Sequence, residues 1–263
     1  MQTAAKTLRE QWANGDAALG AWLAIPSPVS AEGVARIGYD YVCVDTQHGA
    51  IDAQTAVVLF QAITLGGGHP ICRVPWNEPG VIGKMLDAGA EGVIVPMVNT
   101  AAEAEAVVRA ARYPPVGMRS FGPVMAGMRR SDHHGWAAEG IAVIPMIETT
   151  EAIHNIDAIL AVTGIDAIYV GPADLSISLG LAPRNNDGEK LFDDALATIV
   201  AACNNAGIVP GMHTTAALVG RRLEQGFRML TVTSDMLAMR AGFETDLATA
   251  RGAAPKAAGG SMY

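Results

Sequence analysis

Residues 141–148 read IAVIPMIE, and residues 167–174 read AIYVGPAD. Each segment is a short apolar run, typical of a strand buried on both faces, that is followed by a carboxylate, Glu148 or Asp174. In an α/β barrel, catalytic residues lie where a strand ends and its loop begins. Two carboxylates at neighbouring strand ends therefore predict a site for Mg²⁺ or Mn²⁺. The alternative is that Asp174 only caps a helix and that Glu148 is a solvated loop acid.

The same alternation of apolar runs and helical stretches continues along the chain. Apolar runs lie at about 18–24, 40–45, 70–74, 92–95, 141–147, 166–170, 207–211 and 228–233, and helical spacing occurs at 51–65, 81–88, 100–112 and 193–206. Eight such units predict a single-domain (β/α)8 TIM barrel over residues 1–251, with an extra helix within 1–15 and a flexible tail at 252–263. A doubly wound sheet is the alternative, but no predicted strand precedes a GxGxxG or P-loop motif.

Composition argues against several classes of function. Hydrophobic residues make up 50% of the chain and charged residues 17%, as strands buried on both faces require. The net charge is −8 and the basic residues are scattered, which argues against nucleic-acid binding. No apolar stretch approaches the length of a membrane span, and no signal-peptide pattern opens the chain. Three unclustered cysteines do not form a disulfide framework, so we expect a cytoplasmic protein.

Three further polar groups are predicted at the same edge of the barrel. Asp45 ends the second strand, His48 follows three residues later, and Arg73 lies near the end of the third strand. A buried Arg73 needs an anionic partner, which could be a substrate carboxylate, an enolate or Asp45. An Asp beside a His can fix the tautomer of the imidazole and raise its basicity, which is what a general base needs. A divalent metal on Glu148 and Asp174 could chelate a 2-oxo acid, and no lysine lies on a strand to form a Schiff base, so the pattern predicts a metal-dependent aldolase.

The longest stretch without a predicted strand is 113–140, which is rich in Gly and Pro. We expect it to form a lid at the catalytic edge. Arg119 within it could contact a substrate carboxylate or could brace the loop. His213, after the seventh predicted strand, could line the site.

Seven motifs occur together between residues 39 and 176: YDYVCVDxxH (39–48), RVP (73–75), KMLDxGA (84–90), VPM (95–97), RYPPxGxR (112–119), IET (147–149) and GPADLS (171–176). Through these motifs the chain resembles, over about residues 19–247, the HpcH/HpaI aldolases, which are class II pyruvate aldolases similar to 4-hydroxy-2-oxoheptanedioate aldolase.

The resemblance implies a (β/α)8 barrel whose last helix is exchanged between subunits, commonly in a homohexamer built as a trimer of dimers. It implies a lyase that makes or cleaves a carbon–carbon bond between pyruvate and an aldehyde through a metal-stabilised enolate. Mg²⁺, Mn²⁺ or Co²⁺ would be held by Glu148 and Asp174, and Asp45 and His48 would form the acid/base dyad. Pyruvate would contact Arg73 and the backbone of Gly171, Pro172, Ala173 and Asp174.

Two residues depart from the family pattern. Gln47 stands where relatives often carry Glu, and Met146 where they often carry Gln. The first change removes a charge near the dyad and the second removes a hydrogen bond to pyruvate, so both bear on substrate choice. Two other functions stay open: a lyase acting on an acyl-CoA thioester, for which no basic run is visible, and a non-catalytic, metal-dependent binder of oxo acids. The sequence does not specify the aldehyde, the metal or a preference for pyruvate over hydroxypyruvate.

Overall fold

The computed structural model of the chain describes residues 6–252, and the predicted barrel is confirmed. The strands are β1 (Ala18–Leu23), β2 (Tyr41–Asp45), β3 (Pro70–Arg73), β4 (Gly92–Val95), β5 (Ala142–Pro145), β6 (Ala167–Val170), β7 (Val209–His213) and β8 (Met229–Ser234). All strand pairs are parallel, in the order β5-β4-β3-β2-β1-β8-β7-β6. A parallel bridge between Met146 and Tyr169 joins the ends of β5 and β6 and closes the ring.

Helices surround the strands, and their starts are encoded locally. Thr100 and Glu103, for example, form a reciprocal capping box at the start of the helix Ala101–Ala111. The helices are α1 (Leu8–Ala13), α2 (Pro28–Ala35), α3 (Ala53–Leu65), α4 (Pro79–Ala88), α5 (Ala101–Ala111), α6 (Val124–Arg129), α7 (His133–Gly140), α8 (Thr150–His154), α9 (Ile156–Leu160), α10 (Pro172–Ser178), α11 (Lys190–Ala206), α12 (Val219–Gln225) and α13 (Asp235–Ala250), with a 3-10 turn at Ala216–Leu218.

The core has two layers. A large layer between strands and helices includes Leu59, Phe60 and Leu86, and a smaller one fills the barrel interior with Trp22, Tyr41, Tyr169 and other side chains. Inside the barrel, the hydroxyls of Tyr41 and Tyr169 both hydrogen-bond to Thr231, so their buried oxygens are satisfied. The interior is therefore a packed support for the strand ends rather than a channel.

The expectation of a lid at 113–140 is wrong. This segment joins α5 to β5, and helices of a (β/α)8 barrel return the chain to the N-terminal edge, opposite to the catalytic one. Arg112, at its start, pairs with Asp166 just before β6. Arg119 donates a 2.6 Å hydrogen bond to Asp87 on α4, so it braces the segment. A long Gly- and Pro-rich stretch does not by itself reveal which edge it occupies.

The N-terminal helix and the cysteines agree with the sequence predictions. The predicted extra helix is confirmed as α1, and the predicted tail, apart from Gly252, lies outside the described residues. All three cysteines are free and buried. Between residues 6 and 252, no helix combines the length and the apolar character that a membrane crossing needs.

Candidate active site

Glu148 is buried beyond the end of β5, with only 2% of its surface exposed. Its Oε1 accepts a 2.9 Å hydrogen bond from the backbone N–H of Met97, whereas its Oε2 is buried and has no hydrogen-bond partner within the described part of the chain. Burial raises the pKa of Glu148 to about 7, and the nearby charge of Asp174 acts in the same direction. A buried carboxylate oxygen without a partner is costly, so Glu148 is not the solvated loop acid considered above.

Asp174 lies half-buried in the first turn of α10. It does not cap this helix, because the N-cap residue is Gly171 and no side chain makes a capping hydrogen bond. An ideal Cβ at position 171 would lie 2.3 Å from Oε2 of Glu148, so only glycine leaves room beside that oxygen. The strand ends thus bring Glu148 and the Asp174 helix together, as the sequence predicted.

These two carboxylates fit a hard divalent cation. Residues 6–252 contain no cluster of three or more His, Cys, Asp or Glu side chains that could hold a metal. Mg²⁺ suits such a pair, because it usually keeps several waters and binds proteins through one or two carboxylates plus substrate oxygens. The partnerless Oε2 of Glu148 is the atom that such an ion would satisfy.

The side chains of Asp45 and Arg73 form a buried ion pair at the ends of β2 and β3. Arg73 donates through Nε to Oδ1 at 2.9 Å and through Nη2 to Oδ2 at 2.6 Å, which is the bidentate geometry of strong charge-assisted hydrogen bonds. Trp22 on β1 donates its indole N–H to the same carboxylate, and the guanidinium lies 4.9 Å from the centre of the Trp22 ring. Burial alone would raise the pKa of Asp45, but the hydrogen bonds and charge of Arg73 outweigh it and the pKa is lowered.

His48 lies exposed on the loop after β2. The carboxylate of Asp45 contacts the backbone of this loop, since its Oδ1 accepts hydrogen bonds from the backbone N–H groups of Gln47 at 3.0 Å and of His48 at 3.3 Å. An ideal Cβ at Gly49 would lie 2.3 Å from the carbonyl oxygen of Asp45, so the turn needs glycine there. Asp45 thus orients the loop that carries His48, and the hydrogen bonds of the described residues do not join its carboxylate to the imidazole. The acid/base dyad stays a prediction.

His213 and Trp22 extend the buried part of the site. His213 ends β7, and its ring packs edge-on against Trp22 at 5.2 Å. Burial and then the charge of Arg73 lower the pKa of His213 to about 4, so this imidazole is neutral at physiological pH. Met146 is also buried, and its Cε would lie 3.0 Å from a Cβ at Gly171, which places its apolar side chain beside Glu148.

Sequence reasoning missed two residues here. Trp22 lies in an apolar strand and therefore resembles ordinary core. Met97 belongs to the VPM motif, but no sequence signal marks its φ of 57°, a left-handed conformation that non-glycine residues seldom adopt. Strained backbone of this kind is concentrated at functional sites.

Comparisons with known proteins identify the family of this chain. The model of the HpcH/HpaI aldolase/citrate lyase family matches residues 18–241. A hydroxypyruvate/pyruvate aldolase of Rhizorhabdus wittichii is 40% identical over 246 residues, covering 93% of this chain and 98% of that protein. A 4-hydroxy-2-oxo-heptane-1,7-dioate aldolase of Salmonella paratyphi B is 36% identical over 249 residues, covering 92% of this chain and 93% of that protein.

A solved structure supports the same relationship. The crystal structure of an HpcH/HpaI aldolase/citrate lyase family protein from Burkholderia cenocepacia superposes with a TM-score of 0.86 at 30% identity, covering 93% of this chain and 98% of that one. The chain belongs to the HpcH/HpaI aldolase/citrate lyase family.

Proposed function

We propose that this chain is a divalent-metal-dependent aldolase that makes or cleaves a carbon–carbon bond between a 2-oxo acid of the pyruvate type and an aldehyde. The observation that carries the proposal is the buried Oε2 of Glu148, which has no partner among the described residues and faces the first turn of α10. Relatives at 36–40% identity over most of the chain are named aldolases. They favour this function over an acyl-CoA lyase or a non-catalytic binder.

Glu148 and Asp174 would hold the metal, for which Mg²⁺, Mn²⁺ and Co²⁺ are the candidates. When bound, a divalent cation supplies positive charge that polarises a keto oxygen and stabilises the negative charge that develops on it. Gly171 keeps the space beside Oε2 of Glu148 open. Met97 fixes the other oxygen through its N–H, so the carboxylate has one held and one available oxygen.

The 2-oxo acid would lie between Arg73 and the start of α10. The first N–H groups of a helix have no partner within it, so the N–H groups of Ala173 and Asp174, which follow Pro172, are suited to a substrate carboxylate. Arg73 supplies a fixed positive charge, held by Asp45 and by the Trp22 ring. This arrangement would stabilise an enolate without reorganising during the reaction.

His48 would move the proton. It is exposed on a loop that Asp45 holds by two backbone hydrogen bonds, so its imidazole can reach solvent and substrate. Imidazole is the side chain that most often acts as a general base in enzymes. Asp45 would act on His48 through the loop backbone, whereas Gln47 leaves this loop without the charge that relatives often carry.

Substrate preference follows from Met146. This buried thioether beside Gly171 cannot donate a hydrogen bond, so it presents an apolar surface to the 2-oxo acid. We expect pyruvate to be used at least as well as hydroxypyruvate. Comparing kcat/KM for the two donors tests this, and a preference for hydroxypyruvate of tenfold or more would contradict it.

The enolate itself gives the test of function. An aldolase of this kind removes a methyl proton from pyruvate even with no aldehyde present, so the methyl signal should disappear in D₂O. We expect exchange that requires Mg²⁺ or Mn²⁺, that Glu148→Gln abolishes, and that His48→Ala slows by about 100-fold or more. Proton NMR follows the signal directly.

His154, an exposed histidine at the end of α8, provides the matched control. His154→Ala should exchange at the native rate. Unchanged exchange after complete chelation would refute the metal dependence. If pyruvate binds but its methyl protons do not exchange, the chain is an oxo-acid binder.

We propose that the chain forms a homo-oligomer, for which a hexamer is the candidate. In α13, Asp235 is the only buried residue, and Met236, Met239, Phe243 and Leu247 all lie 41–73% exposed. Their spacing places them on one side of the helix, as a helix packed on a second copy requires. The buried, free cysteines suit a cytoplasmic location, which cell fractionation would test.

A further inference from the structure

The loop after β4 and the loop after β5 meet at Asn99. The Nδ2 of Asn99 donates to the carbonyl oxygen of Met97 at 3.2 Å, and its Oδ1 accepts from the hydroxyl of Thr149. Met97 donates its N–H to Glu148, and Thr149 directly follows Glu148 in sequence. One side chain therefore connects the donor that holds Glu148 with the loop that carries Glu148.

The backbone of Asn99 is fixed as well. Its N–H donates to Glu103 at 2.7 Å, and its carbonyl accepts from the side chain of Asn155 at 2.9 Å. Glu103 belongs to the capping box of α5, and Asn155 follows α8. Every polar group of Asn99 thus has a partner, and these partners anchor it to the helices on both sides of the site.

Asn99 also lies next to the strained part of the backbone. Met97 is the only non-glycine residue with positive φ within 6–252. A side chain that holds its carbonyl keeps it in a conformation that it would otherwise seldom adopt. In the observed conformation the N–H of Met97 points at Oε1 of Glu148, and Oε2 has no partner among the described residues.

We propose that Asn99 is a positioning residue for the metal site: it holds Met97 in its left-handed conformation so that the Met97 N–H fixes Glu148 with one oxygen directed at the cation. The inference rests on the proposed function, because it assumes that Glu148 binds a divalent metal. Groups that orient metal ligands typically change metal affinity by about 10–100-fold when they are removed.

The test is the dissociation constant for Mn²⁺, measured from the EPR signal of the free ion. Asn99→Ala should raise this constant by about tenfold or more. Asn99→Asp keeps the size of the side chain and the acceptor for Thr149 but loses the donor to Met97. It replaces Asn99→Ala in the binding measurement if Asn99→Ala does not fold. We expect a rise of at least about threefold in this variant, even though its added negative charge favours a cation.

Asn77 gives a matched control. Its side chain also donates to α5, at the carbonyl of Glu103, but among the described residues it makes no hydrogen bond to Met97 or Thr149. Asn77→Ala should therefore bind Mn²⁺ with a constant within about twofold of the native value, because Asn77 does not orient a group that holds Glu148. If Asn77→Ala and Asn99→Ala weaken binding equally, the effect is general to the loop and the proposal is wrong.

A second substitution tests whether Asn99 acts by holding the left-handed conformation of Met97 or by stabilising the loop in general. Glycine adopts positive φ readily, so Met97→Gly in the Asn99→Ala background should lower the Mn²⁺ constant again by about threefold or more. No recovery in the double variant, or a native constant in both Asn99 variants, would overturn the proposal. If the native chain itself binds no Mn²⁺, the proposed function fails instead, so the two failures are distinguishable.

Discussion

Removing the charge of Arg73 should lower both the free energy of unfolding and the rate of catalysis, and two variants measure these effects separately. Arg73→Met leaves the Asp45 carboxylate buried without its cation and breaks two charge-assisted hydrogen bonds. Such bonds contribute about 1.5–3 kcal/mol each, and breaking a buried ion pair costs about 3–5 kcal/mol. We therefore expect the free energy of unfolding, measured by urea titration with circular dichroism, to fall by about 3–5 kcal/mol.

The double variant Asp45→Leu/Arg73→Met tests the reasoning. It removes both charges, so it should be more stable than the sum of the single changes predicts, with a coupling energy of at least about 2 kcal/mol. Exchange of the pyruvate methyl protons per folded molecule should stay at least about 100-fold below native, because the fixed cation is gone. A coupling energy below about 0.5 kcal/mol, or native exchange in the double variant, would refute the assignment.

Two other predictions follow from buried and exposed groups. The pKa of His213 is lowered from 6.5 to about 4, so the unfolded chain takes up a proton before the folded chain does, and about 3 kcal/mol of the free energy of unfolding is lost as the pH falls from 6.5 toward 4. Urea titrations at pH 7 and pH 4.5 should therefore show a smaller fall in the free energy of unfolding for His213→Gln than for the native chain. An equal fall in the two proteins would contradict this. Phe243 is 73% exposed on α13, so Phe243→Glu should lower the mass measured by light scattering if this helix packs on a second copy, and an unchanged mass would count against that contact.

Much of the fold follows from local sequence. Parallel strands buried on both faces appear as short apolar runs, so all eight strands of the barrel were predictable within a few residues. The approach of Glu148 to the Asp174 helix was predictable too, because the carboxyl ends of parallel strands meet at one edge. The edge of the barrel at which residues 113–140 lie was not predictable. Gly and Pro mark irregular backbone, but they do not indicate the side of the barrel on which that backbone lies.

The finer geometry of the site depends on contacts between distant segments. Asp45 was predicted beside His48, yet its carboxylate is held by Arg73 and reaches His48 only through the backbone. The positive φ of Met97 is imposed by its neighbours, since a methionine has no preference for it. Such features require the folded chain, and here they explain how Glu148 is held.

The most direct test of the account is a crystal structure of the chain with Mn²⁺ and pyruvate. We expect one anomalous peak for the metal, about 2.1 Å from Oε2 of Glu148 and from an oxygen of Asp174, with pyruvate beside it. The same soak of Glu148→Gln should show no peak there. A metal peak elsewhere, or pyruvate bound at this edge with no metal between these two carboxylates, would contradict the account.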